Sequence, residues 1–211
     1  MWAVWVVVAA GLGCVALLFL SRMSRNIDRR KDGPIKTMIV LGSGGHTTEM
    51  MAVVRAMDLS KYTPRCYVVA NTDALGATKA MDLERDKGNL ECSTIAKIPR
   101  SREVGQSFVT STWTTLASLA HCATLVWREK PKLVLVNGPG TCIPVCLAAY
   151  AYRAVGLAQS KIVYFESIAR VKSLSLSGKL MYHSRMADCF MVQWPELQSQ
   201  YPRSEYKGRL F

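Results

Sequence analysis

Apolar and polar positions along the chain fall into three regimes. Residues 2–20 carry no charged side chain, residues 22–36 are dominated by basic ones, and from 37 onward short β-branched apolar runs alternate with longer amphipathic stretches. That alternation is the pattern of a parallel sheet covered by helices on both faces. Six strands are predicted, at 36–41, 65–70, 91–98, 133–136, 161–165 and 189–193, with helices at 47–57, 74–87, 106–129, from the turn at 137–141 to about 155, and 175–185. The helix at 106–129 sets Phe108, Trp113, Leu116, Leu119 and Leu125 among small residues, which predicts a buried or membrane-facing helix too interrupted in its apolarity to be a second span. The expected fold is therefore α/β: a Rossmann-like parallel sheet with helices on both faces, preceded by a single transmembrane helix. The division is an anchor at 1–21, a basic linker at 22–36 and one domain at 37–211.

The first regime is long enough to span a bilayer. Eighteen of the first 20 residues are apolar, and a helix over 2–20 would be roughly 28 Å long at ~1.5 Å per residue, close to the ~30 Å hydrocarbon core. A cleaved signal peptide fits less well, because no Lys or Arg precedes the apolar run and no small-x-small cleavage site precedes the basic stretch. Arg22, Arg25, Arg29, Arg30, Lys31 and Lys36 against Asp28 and Asp32 then predict a cytosolic domain and a luminal amino terminus.

Composition sharpens this picture. The chain has 211 residues, 50% hydrophobic, with 27 Lys and Arg against 15 Asp and Glu for a net charge of +12. Even without the linker the domain is strongly basic, which favours an anionic membrane surface or a phosphorylated substrate. Nucleic acid is not expected, since no zinc finger, aromatic RNA-binding signature or basic helix is present. The seven cysteines, at 14, 66, 92, 122, 142, 146 and 189, form no C-x-x-C pair and read as reduced thiols. Cys142 and Cys146 share a helix face, but their apolar neighbours make them core residues, and no metal site is expected.

In a doubly wound sheet, ligands sit at the carboxyl ends of the strands. The loop Gly42-Ser43-Gly44-Gly45-His46 leads from the first strand into a helix, so its amides and the helix N-terminus form a candidate phosphate seat, or a turn that merely needs glycine. As a dinucleotide fingerprint the loop is poor, Thr47 standing where the third glycine belongs. His46 sits where the helix dipole disfavours the imidazolium by roughly 0.3–1 kcal/mol, which predicts a largely neutral ring acting as a base or capping the loop. Glu166 directly follows the fifth strand, where it can orient or deprotonate a sugar hydroxyl, or simply pair with Arg170. Arg100 and Arg102 lie on another strand-end loop and suit phosphate oxygens. Asn137-Gly138-Pro139-Gly140-Thr141 presents a further glycine-rich backbone surface, and Asp73, ending the second strand, is the residue suited to a ribose contact.

Four segments in this order carry a resemblance: Gly42-Ser43-Gly44-Gly45-His46-Thr47-Thr48-Glu49, Ile98-Pro99-Arg100-Ser101-Arg102-Glu103-Val104, Asn137-Gly138-Pro139-Gly140-Thr141-Cys142 and Val192-Gln193-Trp194-Pro195. Over nearly its whole length the chain resembles the membrane-anchoring subunits of the two-chain UDP-N-acetylglucosamine transferase of asparagine-linked glycosylation. More distantly, it is similar to the amino-terminal half of the bacterial glycosyltransferase that makes lipid II.

The resemblance implies the amino-terminal, acceptor-side half of a GT-B glycosyltransferase at the endoplasmic reticulum membrane. Its partner would be a small cytosolic subunit that holds the donor UDP-N-acetylglucosamine, and GT-B enzymes usually need no metal. The implied reaction adds a second N-acetylglucosamine, β1,4-linked, to N-acetylglucosamine-diphosphodolichol. The residues implied near the acceptor and its diphosphate are Gly42, Ser43, Gly44, Gly45, Thr47, Arg100, Arg102, Asn137, Gly138, Gly140 and Arg170. His46 and Glu166 are the two candidate bases. Arg209, Leu210 and Phe211 correspond to the tail implicated in holding the partner, and packing of that tail on its own domain is the alternative. Two other functions fit the residues: a membrane receptor with no catalytic groups, and a membrane-tethered dinucleotide-dependent oxidoreductase built on the glycine loop and Asp73.

Overall fold

A computed structural model describes residues 33–99, 108–138 and 140–211. The expected anchor, nearly all of the basic linker, Arg100 and Arg102, and the side chains around Trp113 in the helix expected to be buried or membrane-facing lie outside what is described. Among the described residues no helix is long and apolar enough to cross a membrane.

The strands are β1 (Thr37–Val40), β2 (Arg65–Ala70), β3 (Ser93–Ile98), β4 (Leu133–Asn137), β5 (Lys161–Phe165), β6 (Cys189–Val192) and β7 (Glu205–Tyr206). The helices are α1 (Gly45–Ala56), α2 (Ala74–Asp86), α3 (Phe108–Glu129), α4 (Cys142–Ala154), α5 (Leu176–His183) and α6 (Pro195–Gln200). All seven strands pair in parallel in the order β3-β2-β1-β4-β5-β6-β7. This is the doubly wound order, with its switch point between β1 and β4.

Period-two alternation in the strands builds two cores. Met38 and Val40 of β1, with Val134 and Val136 of β4, face one layer formed with Cys122, Leu125 and Val126 of α3 and Val145, Cys146 and Ala149 of α4. Ile39, Leu41, Tyr67, Val69 and Leu135 face the other, against Met50, Met51 and Val54 of α1 and Ala80 and Leu83 of α2. Strands buried on both faces read as continuous apolar runs, which is why β1, β2 and β4 stand out in the sequence.

Two expectations are corrected. The third strand begins at Ser93 rather than 91, because Leu90–Cys92 form a 3-10 turn. A seventh strand, β7, and the six-residue α6 with proline in its first turn follow β6, where only a chain end was expected. Elements this short carry no measurable period.

Candidate functional site at the sheet's carboxyl end

Because β1, β4 and β5 are neighbours, the residues that follow them converge. Gly44 (φ +63°) caps α1, Ser43, Gly44 and Gly45 are exposed, and the Thr47 hydroxyl donates back to the Gly42 carbonyl to close the loop. One residue into α1, His46 reaches across to the end of β4, its Nδ1 standing 2.9 Å from Asn137 Oδ1. Asn137 Nδ2 donates to Glu49 Oε2 at 2.8 Å. A carboxylate only accepts, so this bond fixes the Asn137 amide with its oxygen toward His46. Nδ1 must then carry a proton, and in the neutral ring Nε2 is the acceptor.

Glu49 is the hub of this network. Its Oε2 lies 3.4 Å from His46 Nδ1, and its Oε1 accepts from Ser167 Oγ at 2.8 Å and Ile168 N at 3.2 Å. The Glu49 hydrogen bond raises the His46 pKa above its ordinary 6.5, Asn137 and the charges of Glu49 and Glu166 act in the same direction, and burial opposes them. The direction expected from the helix dipole is thereby reversed: a carboxylate one turn further along the same helix outweighs a dipole term of ~1 kcal/mol or less. Burial pushes the Glu49 carboxyl up, but the hydrogen bonds from His46, Asn137 and Ser167 prevail and hold it below the usual range.

Gly138 makes the approach of the ring feasible. It has φ +71°, and a Cβ there would lie 2.4 Å from the His46 ring.

Glu166 is fully buried. Its Oε1 accepts from Ser167 N at 3.1 Å, and its Oε2 from Ser175 N at 3.0 Å and Ser175 Oγ at 3.1 Å. Burial raises its pKa despite these bonds. A Cβ at position 178 would come within 2.1 Å of Oε2, so Gly178 leaves the carboxylate its space. Arg170 is exposed and makes no ion pair with Glu166; its backbone N–H closes a turn onto the Ser167 carbonyl. Asp73 caps α2, its Oδ1 accepting from Gly76 N at 3.0 Å, while its Oδ2 is buried with no hydrogen-bond partner among the described residues.

Residues 37–210 match the family model described as "Oligosaccharide biosynthesis protein Alg14 like". The chain belongs to this family. It is 42% identical to the UDP-N-acetylglucosamine transferase subunit ALG14 of Homo sapiens over 97% of each chain, and 40% identical to the subunit of the same name from Yarrowia lipolytica over 86% of this chain and 84% of that one. Among solved structures it is similar to MurG of Acinetobacter baumannii, with a TM-score of 0.57 at 17% identity over 83% of this chain. It is also similar to a UDP-N-acetylglucosamine 2-epimerase from Rickettsia bellii, with a TM-score of 0.50 at 16% identity over 84% of this chain. The chain spans only 46% of each of these two structures, and the likeness is one of fold.

In this Alg14-family chain, the structure joins His46 and Asn137 directly, sets Gly138 against the ring, and places Glu166 just after β5. Gly42, Ser43, Gly44, Gly45 and Thr47 form the adjoining turn, and Gly140 lies on the β4 loop. Arg170 stands at the outer edge, apart from the network. Glu49 and Ser167 were not singled out from the sequence. The signal for Glu49 was its spacing, i+3 from His46 on a helix, which puts both on one face; Ser167 offered none. Among the described residues no group of three or more His, Cys, Asp or Glu could hold a metal ion.

The tail returns to the same end of the sheet. Leu210 N donates to Gln193 Oε1 at 3.0 Å, and the Arg209 guanidinium lies 4.4 Å from the Trp194 ring centroid. Trp194 Nε1 donates in turn to the Ile168 carbonyl at 2.7 Å. Leu210 packs against the α1/α2 core, Phe211 is half-buried, and Arg209 is exposed.

Proposed function

We propose that this chain is the membrane-bound, acceptor-side subunit of a two-chain UDP-N-acetylglucosamine transferase. It adds the second N-acetylglucosamine, β1,4-linked, to N-acetylglucosamine-diphosphodolichol on the cytosolic face of the endoplasmic reticulum. A small cytosolic subunit supplies the donor site, and residues 1–21 anchor the pair. One observation carries this reading: 42% identity across nearly all of both chains with a protein named as a UDP-N-acetylglucosamine transferase subunit. A single sheet, half the span of the solved structures it resembles, fits a site completed by another chain.

In this reading His46 is the base. Nε2 takes the proton of the acceptor hydroxyl as its oxygen bonds to the anomeric carbon of the donor sugar and UDP departs. The imidazolium so formed is stabilised by the Glu49 carboxylate through Asn137 and directly. Glu166 directs its hydrogen bonds to Ser167 and Ser175 and serves to hold the 167–175 loop. The amides of 42–45, with Arg100, Arg102 and Arg170, are the groups assigned in this reading to the acceptor diphosphate. The tail at Arg209, Leu210 and Phe211 receives the partner.

Transfer to a dolichol-type acceptor, measured for this chain alone and with its partner, tests the reading. Activity only in the pair is expected; full activity of the chain alone, or none in the pair, contradicts it. His46→Ala should lower turnover by about 10²–10⁴-fold, the usual contribution of a positioned base. A receptor without catalytic groups would leave turnover unchanged in both His46→Ala and Glu166→Gln.

A further inference from the structure

After Glu166 the chain runs to Ala187 without one acidic side chain. Its outward positions include three large apolar side chains and four cations: Leu176 is 86% exposed, Leu180 46% and Val171 40%, while Arg170, Lys172, Lys179 and Arg185 are all exposed. On α5, Leu176, Lys179 and Leu180 stand at i, i+3 and i+4 and so share one face, while Met181 and Tyr182 hold the other in the core. Isolated surface leucines need no explanation, but three large apolar side chains within ten residues, interleaved along the chain with cations and no anion, form a patch.

The chemistry of the surround indicates what covers it. Protein interfaces are depleted in lysine at their centres. Apolar side chains interleaved with Lys and Arg suit the headgroup region of an anionic bilayer, where the apolar tips enter the acyl boundary and the cations meet phosphates. Position agrees with this. Ser175, the cap of α5, is bonded to Glu166, so Leu176 stands at the carboxyl end of β5, the end that carries His46.

We infer that Val171, Leu176 and Leu180, with Arg170, Lys172 and Lys179, form a membrane-docking surface that seats the mouth of the site on an anionic bilayer. This goes beyond the proposed function, which calls for a membrane without saying which face of the domain meets it; only the benefit to a lipid-linked acceptor rests on that reading. Docking by this surface brings the crevice into the plane in which such an acceptor's diphosphate lies.

The test uses the full chain assembled with its partner subunit in vesicles of phosphatidylcholine, with and without phosphatidylserine. A photoreactive phenylalanine analogue is placed at position 176, or at position 157 as a control. Leu157, 52% exposed, lies before β5 at the opposite end of the sheet. Lipid adducts are expected at 176 and not at 157. The yield at 176 should fall about fivefold or more without phosphatidylserine, and likewise in Lys172→Gln/Lys179→Gln, because each cation near an anionic surface contributes ~1 kcal/mol. An adduct to the partner subunit, no adduct, or a yield indifferent to phosphatidylserine would overturn the inference. Transfer measured on the same vesicles separates the two readings: loss of the lipid adduct with transfer retained rejects the surface alone, and an intact adduct with no transfer by the pair rejects the function alone.

Discussion

The two ends of the sheet carry two carboxylate-centred networks, and the difference between them is the difference between structure and site. At the amino end, Arg65 Nε and Nη2 meet the two oxygens of Glu84 at 2.6 and 2.7 Å, and Nη1 donates to the carbonyls of Leu59 and Tyr62. The Tyr67 hydroxyl donates to Glu84 Oε1 at 2.5 Å, and both charged side chains are wholly buried. Arg65 and Glu84 are saturated by one another and by the fold. At the carboxyl end, Glu49 is as well supplied with donors, but its network ends at a ring nitrogen, His46 Nε2, for which no described residue provides a partner, on a side chain 31% exposed. A closed network fixes packing, whereas an open one keeps a valence for a ligand.

The largest effect that can break this comparison is on stability. Arg65→Met leaves Glu84 charged and buried without its partner, and should cost about 3–5 kcal/mol in denaturant unfolding. Arg65→Met with Glu84→Leu should recover most of that loss, since well-packed apolar replacements of buried pairs are often neutral. If the single substitution costs nothing, the amino-end network is not the closed structural unit described here.

At the other end the losses should fall on activity. Gly138→Ala puts a Cβ against the His46 ring and should lower transfer by roughly 10²-fold, the cost of a displacement of about 1 Å at a reacting group. Unaltered turnover would show that the ring position is not used. Ser167→Ala removes one donor from Glu49 and should cost about 0.5–1.5 kcal/mol, read as a small loss of stability or of turnover. A loss as large as that of Arg65→Met would erase the contrast between the two ends.

Much of the fold was legible in the sequence because β1, β2 and β4 are buried on both faces and read as nearly continuous apolar runs, while α1 and α2 keep a polar side. The strand ends then pointed to Gly42–Gly45, His46, Asn137 and Glu166. What pattern alone did not yield depends on distance in space. That Asn137 bridges His46 to Glu49 requires β4 to lie beside β1, and the sequence separates those residues by about 90 positions. The imidazole's basicity was misjudged for the same reason: the helix dipole is a local term visible in sequence, and the orientation of Glu49 toward the ring is not. The closed pair Arg65–Glu84 left no signal either, since its two residues are 19 positions apart and meet only through the packing of α2 on β2.

The central claim is that Glu49, through Asn137, keeps His46 a base with Nε2 free. The direct measurement is the pH dependence of kcat/KM for the assembled pair. Since the neutral ring is the active form and Glu49 favours the imidazolium, the rate should rise with pH along a limb centred above 6.5. In Glu49→Gln the negative charge is gone, and Asn137 is free to turn its amide toward Nδ1. That limb should move to lower pH while the maximal rate falls, as Nε2 takes the proton instead. A limb at the same pH in both enzymes, with the same maximal rate, would contradict the account.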